Sequence, residues 1–179
     1  MNNRILPLQK FIKPEAKIFD VGCGVGSFIR AMNDFGYSVR GCDLSNVSIN
    51  VGKSLLGLND SDIFYGDYSS IPEDDYDMIT LWTVIEHLLY PEEALSFIKK
   101  RLNSGYLLLE FPCADSLMMD LYGKHYFWIM PRIISIYFRK KDCVVCSKEL
   151  DLKSYTLMEC LQIGIFLKRL PNLRQCQRN

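Results

Sequence analysis

The sequence predicts an α/β domain of three layers, a mostly parallel sheet of Rossmann-like type with helices on both faces. Three observations carry this reading. Short apolar runs alternate with amphipathic runs along residues 17–111. A turn with three glycines joins the first apolar run to the first amphipathic one, and Asp43 closes the next apolar run, where ligands of such sheets bind at the carboxyl ends of the strands.

Residues 17–21 (KIFDV) are an apolar run bounded by charge and glycine, the pattern of a buried parallel strand. From Ser27 the period turns helical: Phe28, Ile29, Met32 and Phe35 share a face before Gly36 stops the run. Residues 38–42 (SVRGC) read as a second strand ending at Asp43, and a helix follows over 46–56, which completes a βαβ unit. Further strands are expected at 62–66, 76–82 and 106–111, with a helix between the last two. Pro91 opens that helix, Glu92 and Glu93 lie in its first turn, and Lys99, Lys100 and Arg101 lie in its last, so charge complements the helix dipole at both ends. Beyond Phe111 an aromatic and methionine-rich stretch covers 117–138, a helix is expected over 154–162, and 164–170 (GIFLKRL) supplies a last strand.

A chain of 179 residues favours one domain, 1–179, and can build its core without disulfides or metal. Lys+Arg and Asp+Glu both total 21. That balance lacks the positive field that gathers nucleic acid, so a small-molecule ligand is expected. The first residues show no secretory signal, and a cytoplasmic location is expected. The most apolar later segment, 126–138, has 13 residues and carries Pro131 and Arg132; it falls short of the ~20 needed to span a bilayer and reads as a buried or lid-forming segment. Seven scattered cysteines suggest reduced thiols. Cys143 and Cys146 form one CVVC without a second pair, and the two histidines, His87 and His125, are distant, so no zinc site is expected.

The central feature is DVGCGVG, in which Asp20 ends the first strand and Gly22, Gly24 and Gly26 alternate before the helix. Glycine reaches positive φ cheaply and lets a ligand lie against the backbone. The dinucleotide fingerprint is GxGxxG and the phosphate loop is GxxxxGK[ST]; this turn is GxGxG after an acidic residue. A ligand with a nucleoside and no phosphate fits better. Asp43, 23 residues after Asp20, is placed to accept hydrogen bonds from both ribose hydroxyls.

DVGCGVG, GCDLS, YGDYSSIP and YDMITLWTVIEHL, with Pro91 soon after, occur in an order and spacing that resemble the class I S-adenosylmethionine-dependent methyltransferase superfamily over residues 17–112. The resemblance implies a seven-stranded sheet and S-adenosylmethionine as cofactor, with 17–112 as the cofactor-binding core and 113–179 as the acceptor side. It implies that Gly22, Gly24 and Gly26 line the methionine moiety, that Asp20 supports the turn and that Asp43 holds the ribose. It further implies that Asp67 accepts from the adenine amino group with Tyr68 beside the base. Cys23, Leu44 and Trp82 join the cofactor contacts by the same resemblance. Read without it, Asp67-Tyr68-Ser69 is an ordinary turn.

Methyl transfer needs in-line positioning in a dry site, and a base only for acceptors such as a hydroxyl. His87, just past the fourth strand, is the candidate base; the alternative is that Glu86 and His87 start or cap the next helix and His87 packs on the cofactor. Some quinone-pathway O-methyltransferases carry a further acidic residue three positions before the Glu of this pair, which makes a metal site. Thr83 stands there in this chain, so no metal is expected. His125, among Tyr122, Tyr126, Phe127 and Trp128, reads as part of a core or lid cluster, with an acceptor contact as the alternative.

The reading is an S-adenosylmethionine-dependent methyltransferase acting on oxygen or nitrogen of a small-molecule acceptor. A nucleic-acid amino methyltransferase would carry (N/D)PP(Y/F) where this chain has LWTV, and an NAD-dependent oxidoreductase would carry GxGxxG. The remaining alternative is a methyltransferase-like module without activity that works through a partner protein. Little chain precedes the first strand for closing helices, and GIFLKRLPNLRQCQRN ends where the family's final antiparallel hairpin belongs. One strand is therefore expected to be missing, leaving a sheet edge for a homodimer partner or another subunit to cover.

Overall fold

The computed structural model describes residues 8–112, 114, 117–125, 154–159 and 163–169. The CVVC pair Cys143 and Cys146, and the apolar stretch 126–138, lie outside these residues. The described elements are β1 (Lys17–Val21), α1 (Ser27–Asp34), β2 (Ser38–Asp43), α2 (Asn46–Leu56), β3 (Ile63–Tyr65), β4 (Tyr76–Trp82), α3 (Pro91–Arg101), β5 (Leu102–Pro112), α4 (Leu117–Tyr122), β6 (Ser154–Glu159) and β7 (Ile163–Arg169).

Seven strands form one sheet in the order β3-β2-β1-β4-β5-β7-β6. The first five are parallel, and β7 runs antiparallel to both β5 and β6. Because side chains alternate along a strand, each central strand feeds two cores. Ile18, Met78 and Leu108 point to one face, where Phe28, Ile29 and Met32 of α1 and Ile49 of α2 cover them. Phe19, Ile79 and Leu109 point to the other, against Leu95 and Ile98 of α3. Burial on both faces explains why these strands read as continuous apolar runs. The helix ends follow local chemistry: Ser45 caps α2 by accepting from the Ser48 N–H at 3.1 Å, and Gly57 ends it at φ 66°.

Two expectations need correction. The segment expected to be helical over 154–162 forms β6, and the final hairpin expected to lack a strand is present as β6 and β7. Both errors have one cause. A short apolar segment suits either period, and the deciding interaction is its ladder with β7, from Ser154↔Arg169 to Glu159↔Gly164, which no local signal announces. The strand expected at 164–170 is β7 within one residue, while β5 begins at Leu102, directly after α3. Among the described residues no helix is long and apolar enough to cross a membrane.

Candidate active site

The strand order reverses direction between β1 and β4, and the crevice outside their carboxyl ends is where an open sheet of this type receives a ligand. Asp20 is buried beneath it and accepts a 2.6 Å hydrogen bond from the Thr80 hydroxyl, in register across β1 and β4. That bond fixes the base of the turn. Gly22 and Cys23 then donate their N–H groups to the Cys42 carbonyl at 2.8 and 3.1 Å, which docks the turn on β2.

Gly22, Gly24 and Gly26 all have φ between 58° and 77°. They do different jobs. A Cβ on Gly24 would meet nothing within 4 Å, so this position opens on free space, whereas one on Gly22 would lie 2.4 Å from Val84 Cγ2. Gly26 caps α1, and a Cβ there would lie 2.5 Å from Leu58 Cδ1, so its absence makes room for Leu58. Its role is packing, and it lines neither hollow described below.

Asp43 is held from two sides. The Gly24 N–H donates to Oδ2 and the Ser45 N–H to Oδ1, each at 2.8 Å. Each carboxylate oxygen retains acceptor capacity for a ligand hydroxyl. Asp67 Oδ1 accepts from the N–H and hydroxyl of Ser69 at 2.8 and 2.6 Å, and the Asp67 carbonyl accepts from the Cys42 thiol at 3.2 Å.

Two hollows meet at Gly22. One, of about 190 Å³, is lined by Asp20, Gly22, Cys23, Gly24, Ser27, Phe28 and Trp82. The other, of about 130 Å³, is lined by Val21, Gly22, Asp43, Leu44, Gly66, Asp67, Tyr68, Val84 and Leu88. Each alone is smaller than the ~300–1,000 Å³ of common small-molecule sites, and the two share Gly22 as a wall. The first is walled by the Phe28 and Trp82 rings, 5.3 Å apart edge to face. In the second, Tyr68 is braced by Phe97 of α3 at 6.1 Å. Burial pushes the Cys42 thiol up to about 12 and raises that of Cys23, so neither supplies a thiolate at neutral pH.

The crevice fits S-adenosylmethionine. The open backbone at Gly24, beside the Asp20 carboxyl, suits the amino-acid tail of the ligand, and a fixed carboxylate at Asp43 suits a diol. Ser27, Phe28, Val84 and Leu88 are lining residues that the sequence reading assigned to helix or loop; only their position beside the motif residues could have marked them.

Past β4 the chain turns sharply. Thr83 has φ 54°, a strained value for a β-branched residue, and its N–H donates to the Glu110 carbonyl at 2.8 Å. A 3-10 turn, Ile85–His87, follows. His87 is exposed and lines neither hollow, though Val84 and Leu88 on either side of it do. Glu86 is buried, as is Glu110 at the end of β5. Burial, with the Glu110 charge acting the same way, pushes the Glu86 carboxyl up to about 7 against the opposing pull of a backbone N–H and His87. His125 ends a 3-10 turn after α4 and is exposed. Among the described residues no three His, Cys, Asp or Glu side chains converge as a metal site.

A family model described as a methyltransferase domain matches residues 2–153. A ubiquinone biosynthesis O-methyltransferase of Thiobacillus denitrificans is 28% identical over 94 residues, covering 50% of this chain and 40% of that protein. A ribosomal protein L11 methyltransferase of Clostridium botulinum is 29% identical over 106 residues, covering 57% and 33%. The chain thus spans less than half the length of these curated relatives. A solved structure described as a SAM-dependent methyltransferase from Archaeoglobus fulgidus matches with a TM-score of 0.76 at 17% identity, over 94% of this chain and 92% of that one, which shows a shared fold.

Proposed function

The chain belongs to the methyltransferase-domain family, within the class I S-adenosylmethionine-dependent superfamily, and on that premise we propose that it methylates an oxygen or nitrogen of a small-molecule acceptor. The observation that carries the reading is Asp43, which lines the second hollow and whose two carboxylate oxygens are fixed by the Gly24 and Ser45 N–H groups. When bound, S-adenosylmethionine supplies a methyl group activated by a sulfonium.

The protein's own part is holding and drying. Gly22, Cys23 and Gly24, with Asp20 behind them and Trp82 opposite, hold the amino-acid end; Asp43 and Leu44 hold the ribose, and Asp67 with Tyr68 the base. His87 takes the proton of a hydroxyl acceptor, for which an imidazole is suited near neutral pH. The balanced charge, with Lys+Arg and Asp+Glu both 21, supports a small acceptor over a polyanion. The O-methyltransferase relative supports oxygen as one target atom. The module without activity has two grounds, the little chain before β1 and a missing strand, and the presence of β6 at the sheet edge removes the second.

The test is calorimetric titration with S-adenosylmethionine and S-adenosylhomocysteine, with Asp43→Ala as the control, followed by phenol and amine acceptor panels. Micromolar binding lost in Asp43→Ala supports the reading. No binding by the unaltered protein sinks it.

A further inference from the structure

We propose that Glu86 is a positioning residue for His87, its buried carboxyl fixed behind the imidazole as the counter-charge for the imidazolium formed when His87 takes up a proton. This rests on His87 being the base. The backbone sets the relation: Thr83 is pinned to the Glu110 carbonyl at 2.8 Å, and within the turn His87 N–H donates to Val84 O at 3.0 Å and Leu88 N–H to Ile85 O at 3.3 Å. Residues 86 and 87 are thereby held with one side chain inward and one outward. Glu86 is 2% exposed and the His87 side chain 38%.

Glu86 Oε1 lies 3.9 Å from His87 Nε2, within ion-pair reach and too long for a hydrogen bond. Oε2 is buried without a hydrogen-bond partner among the described residues. A buried carboxyl with one oxygen left unpartnered is not explained by packing and calls for a role. The groups that face it are His87 from its own turn and Glu110 from β5. Both burial and Glu110 favour the neutral acid, so the carboxylate forms near pH 7.

The charge balance explains what this arrangement does. With Glu86 ionised and His87 neutral, the pair carries one negative charge in a buried setting. When a proton passes from the acceptor O–H to the imidazole, His87 becomes cationic, Glu86 stays anionic, and the pair becomes neutral. Proton uptake therefore relieves a buried charge rather than creating one, and the proton leaves to solvent from the exposed imidazole.

The experiment is a carbon-13 carboxyl titration of the glutamate-labelled, ligand-free protein, compared with His87→Gln and Glu86→Gln. One carboxyl should titrate near pH 7, vanish in Glu86→Gln, and move up by at least about half a pH unit in His87→Gln. His87 is on the surface, so that variant keeps the fold even where Glu86→Gln does not. An unmoved midpoint in His87→Gln overturns the proposal, whether or not the protein binds S-adenosylmethionine. A moved midpoint in a protein that binds no S-adenosylmethionine upholds the pairing and overturns the functional reading instead. With an acceptor in hand, Glu86→Gln should lower kcat at pH 8 about tenfold, leave KM for S-adenosylmethionine within about twofold, and abolish the rise of rate through pH 7.

Discussion

The backbone N–H of Gly24 donates to Asp43 Oδ2 at 2.8 Å and so ties the turn after β1 to the end of β2. Asp43→Ala removes this tie together with the diol acceptor. Calorimetry should show S-adenosylmethionine binding weakened by roughly 100-fold or more, while urea unfolding shows a loss of about 1–3 kcal/mol. Asp43→Asn keeps one oxygen acceptor and the shape of the side chain. It should recover most of the stability and little of the affinity.

The three glycines of the turn should respond differently to alanine. Gly24→Ala meets no atom within 4 Å, so its stability cost is the left-handed backbone alone, about 1–2 kcal/mol, while its methyl projects into the crevice. Ligand affinity should fall at least tenfold in a well-folded protein. Gly22→Ala drives a Cβ to 2.4 Å from Val84 Cγ2 and should cost a further ~1–3 kcal/mol in denaturation. Adding Val84→Ala should return that further part and leave the backbone part.

Thr80 and Asp20 form a buried hydrogen bond of 2.6 Å beneath the turn. Thr80→Val preserves volume and removes the donor, so the denaturation midpoint should drop by the equivalent of about 1–3 kcal/mol. Thr80→Ser, which keeps the hydroxyl, should lose less than Thr80→Val. Equal losses in the two variants would assign the effect to packing.

Glu86 gives the protein a pH dependence of definite sign. Its carboxyl is pushed up to about 7 from an ordinary 4.5, so between those values it is protonated when folded and ionised when unfolded. The unfolded state then binds fewer protons, and stability falls as pH rises. The contribution is complete below pH 4.5 and gone above pH 7, on the order of 3 kcal/mol in all. Glu86→Gln is neutral throughout, and comparing its unfolding free energies at pH 5 and pH 8 with those of the unaltered protein isolates this difference.

Much of this is legible in the sequence itself, and the divide is physical. The bounds of α2, β4 and α3 depend on capping and periodicity within a dozen residues, and the sequence reading of them agrees with the structure. Ser154–Glu159 is a strand because of its partner β7, so local pattern misled there. The same holds at the site. The Gly22 turn, Asp43 and Asp67 stand out as residues whose chemistry is tied to position. Gly26 looks identical in sequence, and only the approach of Leu58 shows it to be a packing glycine. The burial of Glu86 and the left-handed Thr83 arise from the contact of the turn with β5, which no spacing rule reveals.

Trp82 and Val84 stand on either side of Thr83, and each walls a different hollow. Any substitution that shifts this three-residue corner moves the walls of two compartments together. On the proposed reading both compartments hold the cofactor, so selection for a new acceptor meets an evolutionary lock at 82–84, where a shift costs cofactor binding on both sides. Laboratory lineages bred for altered substrate range should leave this corner untouched and accumulate their changes elsewhere in the chain.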